Sequence, residues 1–351
     1  MNRAAETIRS VLAAKVGKAG RPLRLMEVCG SHSFAIARAG IRAMLPENVE
    51  LISGPGCPVC VSGEDFISRT ILLARNGCKT AVFGDLLRIP SPLGTLNGES
   101  GLIVIYSPEE ALEFARANRN AETVFAAVGF EPTLSAAAAM LEQAEKEKLA
   151  NFSMLCDFKN IRPVLDVLCG DPETAIDGFL LPGHVASVTG ADAFRGLPVP
   201  GVISGFSPEN ILSSLALLIG LAAERRAEIV NNYRSAVTAQ GSTEAQALIR
   251  RCFEPADGEW RGLGVIPGGN WKIRSGFKAF DAMEKYPFLR SPLPAGGKSA
   301  CRCGDVLKGR LRPEACPLFG KVCTPEAPAG ACMVSIEGAC AASYHNRTVT
   351  A

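Results

Sequence analysis

Short apolar runs alternating with amphipathic helical patterns constrain this chain more than any other feature. Strand-like runs occur at Leu23–Val28, Val49–Ser53, Thr80–Phe83, Leu102–Tyr106, Thr123–Val128, Phe152–Leu155, Gly178–Leu181 and Gly201–Ile203. Helical patterns lie between them at His32–Leu45, Asp65–Asn76, Pro108–Ala117, Thr133–Leu149 and Ile161–Leu168. Ser107-Pro108-Glu109-Glu110 is a well-formed helix start: a hydroxyl cap, proline at the first position and acids in the first turn. Strands separated by helices need crossover connections, which build parallel sheets covered on both faces. The expected fold is therefore α/β, with two parallel-sheet lobes and a smaller helical, loop-rich part. The Pro/Gly-rich segment Pro90–Gly101 marks the expected boundary, giving lobe I at 20–95 and lobe II at 96–205. Residues 1–19 and 206–351 then form the third part, with one long helix over Pro208–Thr238 and another over Thr243–Phe253.

Composition narrows the function classes. Of 351 residues, 47% are hydrophobic and 21% charged, with a net charge of +2, so there is no electrostatic case for nucleic acid or an anionic membrane. The longest apolar stretch, Ile211–Ala223, is too short to span a bilayer. The first twenty residues lack the compact apolar core of a signal peptide, and the chain is expected to be cytoplasmic.

Thirteen cysteines then need a reason. In a reducing compartment, dense cysteine usage points to metal or redox chemistry more often than to structural disulfides. Cys78, Cys156, Cys169 and Cys252 lie singly in apolar or helical contexts and read as small buried hydrophobes. The others form two groups: Cys29, Cys57 and Cys60 near the start, and six between Cys301 and Cys340.

Cys29 (in MEVCGSHS) and the pair Cys57 and Cys60 (in SGPGCPVC) each follow a strand and precede a helix. Ligands and chemistry collect at the carboxyl ends of parallel strands, so three sulfurs and the His32 imidazole are expected to converge there. Helix N-termini beside the thiols favour thiolates, the form that binds soft metals. A thioredoxin-like dithiol is the competing reading of Cys57-Pro-Val-Cys60. Asp85, Glu131 and His184 also lie at predicted strand ends. Glu131 reads equally as a first-turn helix acid, and His184 equally as a capping or packing residue.

The tail runs C-x-C-x12-C-x6-C-x8-C-x7-C. Paired CxxC zinc knuckles and the tight C-x2-C-x2-C run of ferredoxins are both absent from it. Six thiols exceed the four that one cluster or one zinc needs, so four ligands plus a redox pair is the economical division. Structural disulfides are the plainer alternative.

Several motifs together resemble the HypD family of hydrogenase maturation factors. They are MEVCGSH, GPGCPVCV, AVGFE at 127–131, LPGHV at 181–185, and the tail CTP, CMVS and EGACAA, in order from about residue 24 to 344. The resemblance implies a scaffold with no free metabolite as conventional substrate. It pairs with a small HypC-type chaperone and holds ferrous iron on which the Fe(CN)2CO unit of [NiFe] hydrogenase is assembled. Cyanide comes from HypE and HypF, and the hydrogenase large subunit is an indirect partner.

The resemblance also implies that the third part of the chain carries a [4Fe-4S] cluster, in surroundings like those of ferredoxin:thioredoxin reductase. By motif, Cys29, Cys57 and Cys60 match the iron-assembly site, with His32 beside them. Cys301, Cys316, Cys323 and Cys340 match the cluster ligands, and Cys303 and Cys332 the redox thiols. Two other readings compete: a stand-alone iron–sulfur disulfide oxidoreductase, and a zinc-stabilised interaction module. The sequence departs from the family pattern in GFEPT, in CGSHS and in SMLCDFKN, which lacks an expected Asn-His.

Overall fold

The computed structural model describes residues 3–297 and 299–350. Its strands are β1 Leu23–Glu27, β2 Val49–Ser53, β3 Lys79–Phe83, β4 Leu102–Ile105, β5 Thr123–Gly129, β6 Phe152–Lys159, β7 Gly178–Pro182, β8 Gly201–Ser204, β9 Ile229–Asn231, β10 Phe253–Trp260 and β11 Gly264–Ile273. All eight expected strands are present. Helices cover the crossovers, and Ser107 and Glu110 close the capping box at the start of Pro108–Ala117. The class is α/β, as the alternation requires.

The strands form two sheets, in the orders β2-β1-β7-β8-β9 and β10-β11-β6-β5-β3-β4. The first is parallel throughout. In the second, β3, β4, β5 and β6 are parallel, and the β10–β11 hairpin adds on antiparallel to β6.

This partition corrects the expected boundary. Pro90–Gly101 separates β3 from β4, which pair directly in one sheet. The chain instead leaves the first sheet after β2, builds four strands of the second, and returns for β7. There Phe179 and Leu180 pair with Met26 and Glu27 of β1, and all four are fully buried. A Pro/Gly segment marks a loop, but which strands pair is decided by the apolar faces they bury together.

Two further expectations change. The helix beginning at Pro208 stops at Ala223, not Thr238. Glu224-Arg225-Arg226 follows, with Arg225 at φ 54°, and the chain then runs into β9. The hairpin was missed because Pro255, Gly258, Pro267 and Gly268 interrupt its strand signal; its ladder to β6 supplies what local propensity lacks. The helix expected at His32–Leu45 likewise breaks at Gly40 (φ 63°), leaving Gly30–Arg38 and a short 3-10 turn at Ile41–Met44.

One core cluster runs from the sheet faces through Cys57 and Cys60 into the tail, taking in Cys303, Cys316, Cys323, Cys332 and Cys340. The tail is thus packed against the α/β body.

Candidate functional site

The β1 and β2 turns are held side by side because the strands are parallel neighbours, with Glu27 opposite Ser53 at their ends. Gly54 N–H donates to Glu27 O (2.8 Å) and Gly30 N–H donates to Gly56 O (2.9 Å). A Cβ on Gly56 would overlap the Cys29 backbone, so only glycine permits this approach. Cys29 ends the extended segment just before the helix Gly30–Arg38, where the backbone N–H groups of His32 and Ser31 favour its thiolate. Burial nevertheless pushes the thiol up to about 12, the carboxylates of Glu27 and Glu337 adding to it.

Cys29 opens onto a cleft of about 190 Å³ walled by Ser31, Phe130, Thr133, His184 and Glu337. The wall residues come from the carboxyl edges of both sheets and from the tail. Glu337 accepts from Ser31 Oγ at 2.7 Å, and burial raises its pKa.

Of the three sulfurs and His32 expected to converge, Cys29 alone lines this cleft. Cys57 and Cys60 are buried and do not line the cleft. His32 is buried behind it, with Nε2 on Gly205 O (3.0 Å) and its ring stacked on Phe206. Burial lowers its pKa to about 4, so the ring is neutral. His184 stacks on the same Phe206, with centroids 3.8 Å apart, and it does face the cleft.

Glu131 is buried at the start of the helix Glu131–Lys146, one Oε2 has no partner, and burial raises its pKa to about 7. Its neighbours Phe130 and Thr133, not its own side chain, line the cleft. Asp85 is exposed, and its charge acts on Cys60 and Glu337.

Cys57 and Cys60 connect instead to the tail. Cys57 Sγ accepts from Cys60 N–H at 3.3 Å. Cys332 packs in one core with Cys60, Cys303 and Cys340, and these neighbouring thiols raise its pKa, so it holds its own proton. Burial opposes charge on Cys60, but the thiols of Cys332 and Cys57, with Arg261, bring its pKa below the ordinary thiol value. Burial pushes Cys57 the other way.

All six tail cysteines line one small cavity, together with Val306, Phe319 and Met333. Gly330 is needed beside Cys301, where a Cβ would press on Sγ, and Ala329 N–H donates to Cys323 Sγ (3.3 Å). The thirteen cysteines are all free thiols. Soft donors around an apolar cavity with N–H groups aimed at sulfur fit an iron–sulfur cluster. Among the described residues, no three His, Cys, Asp or Glu side chains group as they would around a single ion. A cube of four irons differs, since it spaces its thiolates on separate corners.

Three residues that sequence reasoning left without a role complete the site. Glu337 sits beside Ser31, Glu27 accepts from Cys29 N–H (3.2 Å), and Arg261 ties the β10–β11 turn to the Cys57–Cys60 turn through Val61 O and Ser62 O. Glu337 stood inside the quoted EGACAA motif and Glu27 inside MEVCGSH; Arg261 carried no signal. Where the family's Asn-His is missing, Lys159 lies fully buried on Asp157 (2.6 Å) beneath the hairpin.

Two sheets meeting at a cleft with one cysteine sulfur, and a cysteine-rich tail packed against a second thiol pair, are an arrangement suited to soft-metal or electron handling. Comparison with known proteins makes the class specific. The HypD model, described as the hydrogenase formation hypA family, matches residues 3–347. Hydrogenase maturation factor HypD of Azotobacter vinelandii is 41% identical, over 95% of this chain and 92% of its own length. HypD of Escherichia coli K12 is 39% identical over 94% and 90%. A putative hydrogenase expression/formation protein of Methanocaldococcus jannaschii is 36% identical over 96% and 95%. The chain belongs to the HypD family. Among its described residues, no helix is long and apolar enough to cross a membrane.

Proposed function

We propose that this hydrogenase maturation factor is the scaffold on which the Fe(CN)2CO unit of [NiFe] hydrogenase is assembled. Iron, the cargo, is held at Cys29 in the cleft together with a HypC-type partner. HypE and HypF deliver cyanide, the finished unit passes towards the hydrogenase large subunit, and the work is cytoplasmic. The observation that carries the redox half of this reading is the packing of the Cys57–Cys60 turn on the tail turn that holds Cys332.

The residues divide the labour as follows. Cys57 and Cys60 give up two electrons and two protons when they close to a disulfide. Cys332 then attacks Cys60, freeing Cys57 as a thiol, and Cys303 attacks Cys332, freeing Cys60. The disulfide has moved to Cys303–Cys332, and the N-terminal pair is reduced again. A [4Fe-4S] cluster held by Cys301, Cys316, Cys323 and Cys340 would supply single electrons to that second pair. Glu337 and Ser31 orient the rim beside Cys29, and the apolar surroundings of Cys57 and Cys60 keep water from the exchange.

Anaerobic co-purification with a HypC-type partner tests the reading. Infrared bands of iron-bound cyanide and CO are expected on the complex, with about four iron and four sulfide in the chain alone. Cys29→Ala should remove the bands and keep the visible absorption of the tail; Cys316→Ala should lose both. Stoichiometric zinc without sulfide would overturn the proposal.

A further inference from the structure

β2 ends the five-stranded sheet, so its outer edge pairs with no strand. Such an edge presents backbone N–H and C=O groups that another chain can use. All five β2 residues, Val49 to Ser53, line a cavity of about 660 Å³. Its opposite wall is the tail segment 309–314, with Val306, Ala339 and Ser343. The space is therefore a slot following the strand, about 16 Å long at the rise of an extended chain.

The other sheet treats its outer hairpin edge differently. β10 carries Pro255, Glu254, Asp257 and Glu259, which discourage strand addition. β2 has one charge, Glu50, and that carboxylate is occupied by Arg24 (3.1 Å) and Arg312 (2.8 Å). The group reaching the β2 backbone from the slot is a side chain, Arg42, which donates to Leu51 O and to Ser53 Oγ.

The charge of the slot selects its occupant. Its lining holds four arginines: Arg24 and Arg312 share Glu50, Arg310 is held by Asp171 and Glu173, and Arg42 is left with the Leu51 carbonyl and the Ser53 hydroxyl. Arg42 is desolvated; the charges of Glu27, Glu314 and Glu50 act on it more than that of Arg312, whose side chain is 75% exposed. A carboxylate brought in beside Arg312 would give the buried Arg42 guanidinium a direct partner in place of the water it has lost, and Leu45, Leu51 and Leu311 offer apolar contacts for alternate side chains. We infer that the slot between β2 and the tail binds an extended, carboxylate-bearing segment of a partner polypeptide, added beside β2. The segment displaces the Arg42 guanidinium from Leu51 O, takes that carbonyl with its own N–H, and pairs its acid with Arg42 and Arg312.

Selection of a random linear peptide library against the full anaerobic chain tests this. Enriched peptides should carry Asp or Glu among apolar residues, and the bound peptide should slow amide exchange across 49–53. Arg312→Glu should weaken the selected peptide by about tenfold or more, whereas Arg312→Lys should keep most of the binding. An unchanged unfolding midpoint in Arg312→Glu shows that the loss is local. Absence of enrichment, enrichment without acidic residues, protection elsewhere, or equal binding to Arg312→Glu each overturns the inference. Succinate competing as strongly as the peptide also overturns it, by making the slot a small-anion site.

Discussion

Cys332, deep in the tail, packs beside Cys60 on the turn after β2, where the short helix Pro58–Val61 meets the turn Ala331–Met333. That contact joins the two cysteine groups, and it depends on the tail packing into the same core as the β2 turn. It predicts a specific trapped bond. In a chain carrying Cys57→Ser and Cys303→Ser, mild oxidation should link Cys60 to Cys332, seen as one cross-linked peptide by mass spectrometry without reduction. Cross-links of Cys60 to other tail cysteines instead would contradict the relay order.

Gly56→Ala places a methyl against the Cys29 backbone. Strain of this kind costs roughly 1–3 kcal/mol. Chemical denaturation should show the loss, and alkylation of Cys29 should change because its turn is displaced. A variant as stable as the parent would mean the two turns can separate freely.

Glu131 offers a pH test with a definite sign. Its folded pKa is raised to about 7 by burial, so the folded chain holds this proton more tightly than the unfolded one. Stability from this group is complete below the unfolded carboxyl value and is lost as pH rises through about 7. Glu131→Gln cannot ionise, so its stability relative to the parent should improve from about pH 4.5 to pH 7, by at most about 1.4 kcal/mol per pH unit. Denaturation midpoints of both chains across that range decide it. A constant difference would place the carboxyl in contact with water.

The Lys159–Asp157 pair is buried, and Asp157 Oδ2 has no partner. Lys159→Met should cost about 3–5 kcal/mol, because it strands a buried carboxylate. Adding Asp157→Leu should restore much of the loss. If the single variant is neutral by denaturant melt, water or a neighbouring cation already screens Asp157.

Much of the architecture was legible in the residues. β1 and β2 announce themselves by apolar runs, and the glycines after them announce turns that carry thiols. The tail cysteines were legible as one set, since six thiols between Cys301 and Cys340 are too closely spaced to read as scattered core residues. The β10–β11 hairpin was not legible, because strands rich in glycine and proline persist only through the ladder to β6. Glu337 and Arg261 were not legible as site residues either: nothing local distinguishes an acid or a guanidinium that will meet a cysteine from one that will meet water.

By itself the sequence determined the element types, the thiol-bearing turns and the family, because these rest on local periodicity, backbone freedom and motif order. Only the tertiary structure decided that Cys29 faces a cleft while Cys57 and Cys60 face the tail, and that the His32 ring is buried on Phe206. It also decided that the sheets interleave along the chain. Pairing β1 with β7 and seating the tail on the β2 turn are long-range choices, made by burying apolar surface that no short window of residues can specify.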